Sequence, residues 1–163
     1  MKLSEKGEPF PLGARVLGGN MRKCEHQECI TNREKWIRSQ HHVSQRGDEL
    51  RELLDRDYTV KWGVHSDHRE SIRNIPAWQS QEALENGDCI EFHAYQDRQH
   101  GLTYKWVWLG YAKVAIGNYR PIHLVLLVNP NNPVRKIYVA TVYDPSVESW
   151  KWDETYSVRI CWK

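Results

Sequence analysis

The sequence predicts an α+β fold, with N-terminal helices packed on one face of an antiparallel sheet of roughly four to six strands. Three observations predict it. Up to Asn86-Gly87 the apolar residues recur at helical spacing, as in Leu50, Leu53 and Leu54. After Gly87 they alternate at period two, in runs rich in Val, Ile, Tyr and Trp. Those runs follow one another across short turns, and tight turns join antiparallel neighbours.

Each element follows in order. Glycines and prolines from Gly7 to Gly19 break any period, so residues 1–22 read as irregular. Thr31 with Glu34 makes a capping box for a helix through about Val43. Gly47 interrupts it, and Asp48 caps a second helical piece. Tyr58 to Val64 suggests a short strand. Ser66 caps a helix running to Asn74, and Pro76 opens another that Asn86-Gly87 closes. Cys89 to Tyr95 is a strand with Ile90, Phe92 and Ala94 on one side. Thr103 to Ile116 gives one long strand or a pair, ended by Gly117-Asn118. Ile122 to Val128 is nearly all apolar and reads as a central strand covered on both faces. The turn Asn129-Pro-Asn-Asn-Pro133 precedes a strand from Ile137 to Tyr143. Thr155 to Trp162 alternates, with Tyr156, Val158, Ile160 and Trp162 on one face, and closes the sheet.

Composition bounds the function. The 163 residues carry 23 basic and 21 acidic side chains, a formal charge of +2, so any nucleic-acid site must be a local patch. Lys105, Lys113, Arg120, Arg135, Lys136 and Arg159 all fall in the sheet half; their gathering on the face of His123 would favour RNA binding. The 8 Trp and 8 Tyr suit sheet packing and also half-wet stacking platforms. Met1 to Arg15 lacks the apolar core of a signal peptide, and no run reaches membrane-spanning length. Four cysteines without such a signal argue for reduced thiols. A cytoplasmic protein with no membrane partner is the expectation.

Three constellations carry candidate chemistry. Cys24, His26, Cys29 and His41 offer a metal-ligand set for a structural zinc; the alternative is a polar loop with free cysteines. His68 with Arg73 pairs an acid or base with a phosphate binder; the alternative is a solvated helix. In the sheet, His123 lies in an apolar strand beside Arg120, with Thr141 and Tyr143 one strand over. A lone histidine there is more often a satisfied core residue, yet a cation, a proton shuttle and hydroxyls on one face suit metal-free RNA cleavage. Arg120, Lys105 and Trp106 are the candidate substrate contacts. No nucleophile elbow, GxGxxG or phosphate loop is present.

Four segments carry a resemblance: Ser66-Asp-His68-Arg-Glu-Ser-Ile-Arg73, Glu82-Ala-Leu-Glu-Asn-Gly87, Arg120-Pro-Ile-His123-Leu-Val125, and Ile137-Tyr-Val-Ala-Thr141-Val-Tyr143-Asp-Pro145. Between Ser66 and Trp150 the chain resembles the DUF4258 family, grouped with the RelE/colicin-E5-like (BECR) ribonuclease toxin fold. The resemblance implies a toxin-like domain over 58–163, preceded by an irregular and helical extension over 1–57. It further implies a metal-independent endoribonuclease with RNA as substrate, a cognate antitoxin as partner and no catalytic cofactor. The site carried over is His68, Arg73, His123, Thr141 and Tyr143. Two other classes stay open: a non-catalytic protein-binding or regulatory module, for which the Trp-rich run Tyr104 to Trp108 speaks, and a zinc-containing nucleic-acid binder.

Overall fold

The computed structural model describes residues 15–16 as backbone, and 24–63 and 75–163 in full. The helix expected from Ser66 to Asn74, with His68 and Arg73, lies outside the described residues. The elements run β1 (Arg15–Val16), α1 (Gln27–Ser39), α2 (Val43–Asp55), β2 (Thr59–Trp62), α3 (Ala77–Asn86), β3 (Asp88–Asp97), β4 (Gly101–Ala115), β5 (Asn118–Val128) and β6 (Lys136–Tyr143). A 3-10 helix spans Pro145–Lys151.

The sheet order is β2-β6-β5-β4-β3, with β1 beside one end of β5. Strands β3 to β6 form the expected antiparallel meander. The sheet is nonetheless mixed, because β2 pairs with β6, and β1 with β5, in parallel. Neither pair is joined by a tight turn, so nothing local forces the antiparallel sense.

The first face of the sheet is dry. Trp106, Trp108, Ile122, Leu124, Leu126 and Val128 pack there against Leu50 of α2 and Ala83 and Leu84 of α3. Each fully buried side chain of this size contributes about 2–3 kcal/mol. Both indoles find acceptors on the covering helices: Trp106 Nε1–H donates to the Arg46 carbonyl at 2.8 Å and Trp108 Nε1–H to the Leu84 carbonyl at 3.2 Å. Gly110 lets α3 lie against β4, since a Cβ there would sit 1.9 Å from the Ala83 carbonyl oxygen. Gly47 has a similar role inside α2, where a Cβ would come within 2.7 Å of Asp88 Oδ1. The expected helix break at Gly47 is thus a close approach between helix and strand. Thr31, expected to cap α1, lies within it, its hydroxyl donating to the Gln27 carbonyl at 3.1 Å.

The second face differs. A bulge between Cys89 and Glu91 sends Ile90 there, away from Phe92, where it joins Val107, Leu109, Trp152 and Tyr156. The segment after β6 covers this part of the face as a 3-10 helix and irregular chain, with one bridge between Trp152 and Arg159. The expected closing strand at Thr155–Trp162 is absent. Asp153 competes for its backbone: Oδ1 accepts from Ser157 N at 2.9 Å and Val158 N at 3.1 Å, and Tyr156 turns to φ 60°. At the sheet edge, Gln40 Oε1 accepts from the free Phe92 N–H at 2.7 Å and blunts the edge.

Candidate functional site

His123 opposes Tyr143 in register and is fully buried beneath the C-terminal segment. Its Nε2 lies 2.8 Å from the Tyr156 carbonyl, which can only accept, so Nε2 carries the proton. Nδ1 then accepts from the Tyr143 hydroxyl at 3.0 Å. Trp152 and Tyr143 stand edge-on to the ring at 4.4 and 5.0 Å. Burial pushes the imidazole down to about 4, although the Tyr156 carbonyl opposes this. In this arrangement His123 is neutral and both ring nitrogens are satisfied. Thr141 lies on the same face, two residues from Tyr143 and opposite Val125.

The other sheet candidates separate. Arg120 pairs with Ala112, whose side chain is in the first-face core, so it lies on the face opposite His123. There its Nε donates to Asp144 Oδ2 at 2.7 Å, with Gln79 Oε1 at 3.4 Å from its Nη1. Both members of the ion pair are largely buried, at 18% and 8% side-chain exposure. This corrects the expectation of Arg120 and His123 on one face: residues of one face are an even number of positions apart along a strand, and these two are three apart. Trp106 is also corrected as a substrate contact, because it is wholly buried in the first-face core. Lys105 does lie on the face of His123, opposite His93 of β3.

At the other end of that face is a group that sequence reasoning missed. Glu91 is largely buried and bonded through Oε1 to Nε2 of His93. Burial raises the Glu91 carboxyl, but the His93 hydrogen bond, Trp36 and the Lys105 charge outweigh it and hold it below its usual range. Register places Tyr138 and Lys136 of β6, and Lys61 and Thr59 of β2, on the same side. Tyr95 and Tyr138 are 41% and 46% exposed. The tight turn at Asp97 and the 129–135 loop bring Arg98, His100 and Arg135 to this end, the Asn129 side chain bonding the His100 carbonyl. The period-two alternation of Glu91, His93 and Tyr95 was the available signal.

The Cys/His constellation is partly assembled. The sulfurs of Cys24, Cys29 and Cys161 all lie within 4.8 Å of one another and could hold a metal ion. His26 Nδ1 is 3.2 Å from Cys24 Sγ. His41 is corrected as a member of the set: its Nδ1 is 3.0 Å from the Arg38 carbonyl and its ring stacks on His42. It follows a full helix after Cys29, which carries it away from that helix's start. Cys161, which falls in the expected strand Thr155–Trp162, takes its place. Among the described residues no helix is long and apolar enough to cross a membrane. No family model, no curated protein and no solved structure matches the chain.

Proposed function

We propose that the chain is a single-stranded RNA-binding domain that uses the open half of the second sheet face and holds a structural zinc in its thiol cluster. One observation carries the reading: Lys61, Lys105 and Lys136 share a sheet surface with the exposed rings of Tyr95 and Tyr138. Aromatic rings stack bases while cations track the backbone, which is the general logic of single-strand recognition. Glu91 is the acidic member of this strip, and it is bonded to His93. The near-neutral total charge makes the patch local, as the composition requires.

Fluorescence anisotropy with a labelled single-stranded RNA tests this. Three phosphate contacts predict a slope of log K against log salt of about −2. The triple variant Lys61→Glu/Lys105→Glu/Lys136→Glu should lose binding and its salt slope together. Equal affinity of the wild type and this variant at low salt would overturn the reading.

A second reading, metal-independent RNA cleavage, is favoured by the Glu91–His93 pair facing Lys105. With Glu91 holding Nε2, His93 Nδ1 takes the 2′-hydroxyl proton as the 2′-oxygen bonds phosphorus. Lys105 stabilises the phosphorane, and water protonates the departing 5′-oxygen. Catalysis at His123 would instead require the C-terminal segment to lift. Incubation with RNA in EDTA separates these: cleavage lost in His93→Ala supports His93, cleavage lost in His123→Ala supports the site implied by the resemblance, and intact RNA leaves binding alone.

A further inference from the structure

The geometry points to a tetrahedral zinc centre formed by Cys24, Cys29, Cys161 and the His26 imidazole, which fastens the start of α1 to the C-terminal segment that buries His123. This rests on the structural zinc named above, and supplies its fourth ligand and its role.

The three sulfurs come from opposite ends of the described chain. Cys24 precedes α1, Cys29 lies buried in its first turn, and Cys161 is buried close to the C-terminus. Sulfurs around one zinc at about 2.3 Å stand about 3.8 Å apart in a tetrahedron. The observed separations, all within 4.8 Å, need only small side-chain rotations to reach that value. A disulfide would use two of the three sulfurs and leave the third thiol beside it; one ion uses all three. Three thiolates and an imidazole are a donor set that selects zinc over calcium or magnesium.

The Trp162 backbone N–H donates to Cys29 Sγ at 3.5 Å and ties the C-terminal segment to the first turn of α1. A backbone N–H donating to a ligating sulfur is the outer-shell contact that orients a metal thiolate. Zinc with three thiolates and a neutral imidazole carries a net single negative charge, and the Arg159 guanidinium lies close enough to act on Cys161. His26 is the N-cap residue of α1 but makes no side-chain cap bond, so its ring is not committed to the helix. Its Nδ1 lies 3.2 Å from Cys24 Sγ but outside the group formed by the three sulfurs, so a rotation of the ring brings a nitrogen to the ion.

Binding then releases three thiol protons and forms three Zn–S bonds and one Zn–N bond, with no change of oxidation state. The ion crosslinks the helix to the segment whose Tyr156 carbonyl holds His123 Nε2. Metal removal should free that segment first and leave the helix-covered face of the sheet intact.

The test uses the full chain purified from zinc-supplemented cells. Elemental analysis should give one zinc per chain, and cobalt substitution should give the intense visible bands of a tetrahedral sulfur-rich site. Cys161→Ser should abolish stoichiometric metal. His26→Ala should keep a three-sulfur cobalt site with shifted bands and weaken zinc binding by more than roughly 100-fold, beyond the loss of an outer-shell partner. His41→Ala should match the wild type. Zinc-free protein, whether its thiols are free or paired in a disulfide by mass, would overturn the centre and the zinc reading together. Metal bound normally by His26→Ala, with unchanged cobalt bands, would overturn the fourth ligand alone. Hydrogen exchange completes the test: chelation should raise exchange in residues 152–163 and spare β4 and β5, and uniform loss of protection would overturn the fastening role.

Discussion

The two faces of the sheet are built on different principles. The first face buries Trp106 and Trp108 and a run of aliphatic side chains under α2 and α3, and both indole N–H groups donate to carbonyls of those helices. The second face is divided. One half lies under the C-terminal segment and encloses His123 with Tyr143, Trp152 and Tyr156. The other half presents Glu91, His93, Lys105 and two half-exposed tyrosines. The contrast teaches that a dry helix-covered core and a partly open polar surface are segregated here by strand alternation, since neighbouring residues of one strand serve opposite faces.

The comparison can be broken most severely at Trp108. Trp108→Ala should cost about 4 kcal/mol in urea denaturation, through lost burial and the cavity left under α3. A cost below about 1 kcal/mol would show that the first face is not the load-carrying core. Next is the charged pair on that face. Asp144→Ala removes the carboxylate paired with the largely buried Arg120 and the acceptor for Ser146 N, which caps the 3-10 helix at 2.8 Å. About 3 kcal/mol is expected, measured the same way. Arg120→Met, which removes the buried charge, should restore much of it in the double variant.

The covered half of the second face should declare itself through pH. The fold keeps His123 neutral down to about 4, whereas the unfolded chain takes up the proton near 6.5. Unfolding therefore binds a proton between those values. The neutral ring's contribution is fully present above pH 7, declines as pH falls through the window, and declines no further below about 4. Roughly 3 kcal/mol should be lost across it, and His123→Gln should flatten that part of the stability profile relative to wild type. A parallel profile in the variant would show that another group sets the slope. The smallest effect belongs to the open half. Tyr138→Ser and Lys61→Ala should each change stability by less than about 0.5 kcal/mol while weakening RNA binding. Large losses of stability there would mean that the half-face is core rather than surface.

Much of the fold was legible in the sequence because its signals are local. The strands β3 to β6, the turn at Gly117-Asn118 and the helix from Pro76 to Gly87 each rest on alternation or turn chemistry within a few residues. Gly47 misled because a helix breaker and a helix contact point use the same residue; only the neighbouring Asp88 and Cys89 decide between them. Thr155 to Trp162 misled because period two was real, yet Asp153 satisfied the backbone before a strand partner could.

The candidate sites divide the same way. His123 could be recognised as a histidine in an apolar strand, and Cys24, His26 and Cys29 as neighbours. What the sequence by itself determined is therefore residue type, face and local order, which are set by period and propensity. Whether His123 is open or sealed, and that Cys161 rather than His41 completes the sulfur cluster, was decided by the tertiary structure. Those relations join residues 33 and 132 or more positions apart, and no local periodicity encodes which distant segment will come to rest on a given face.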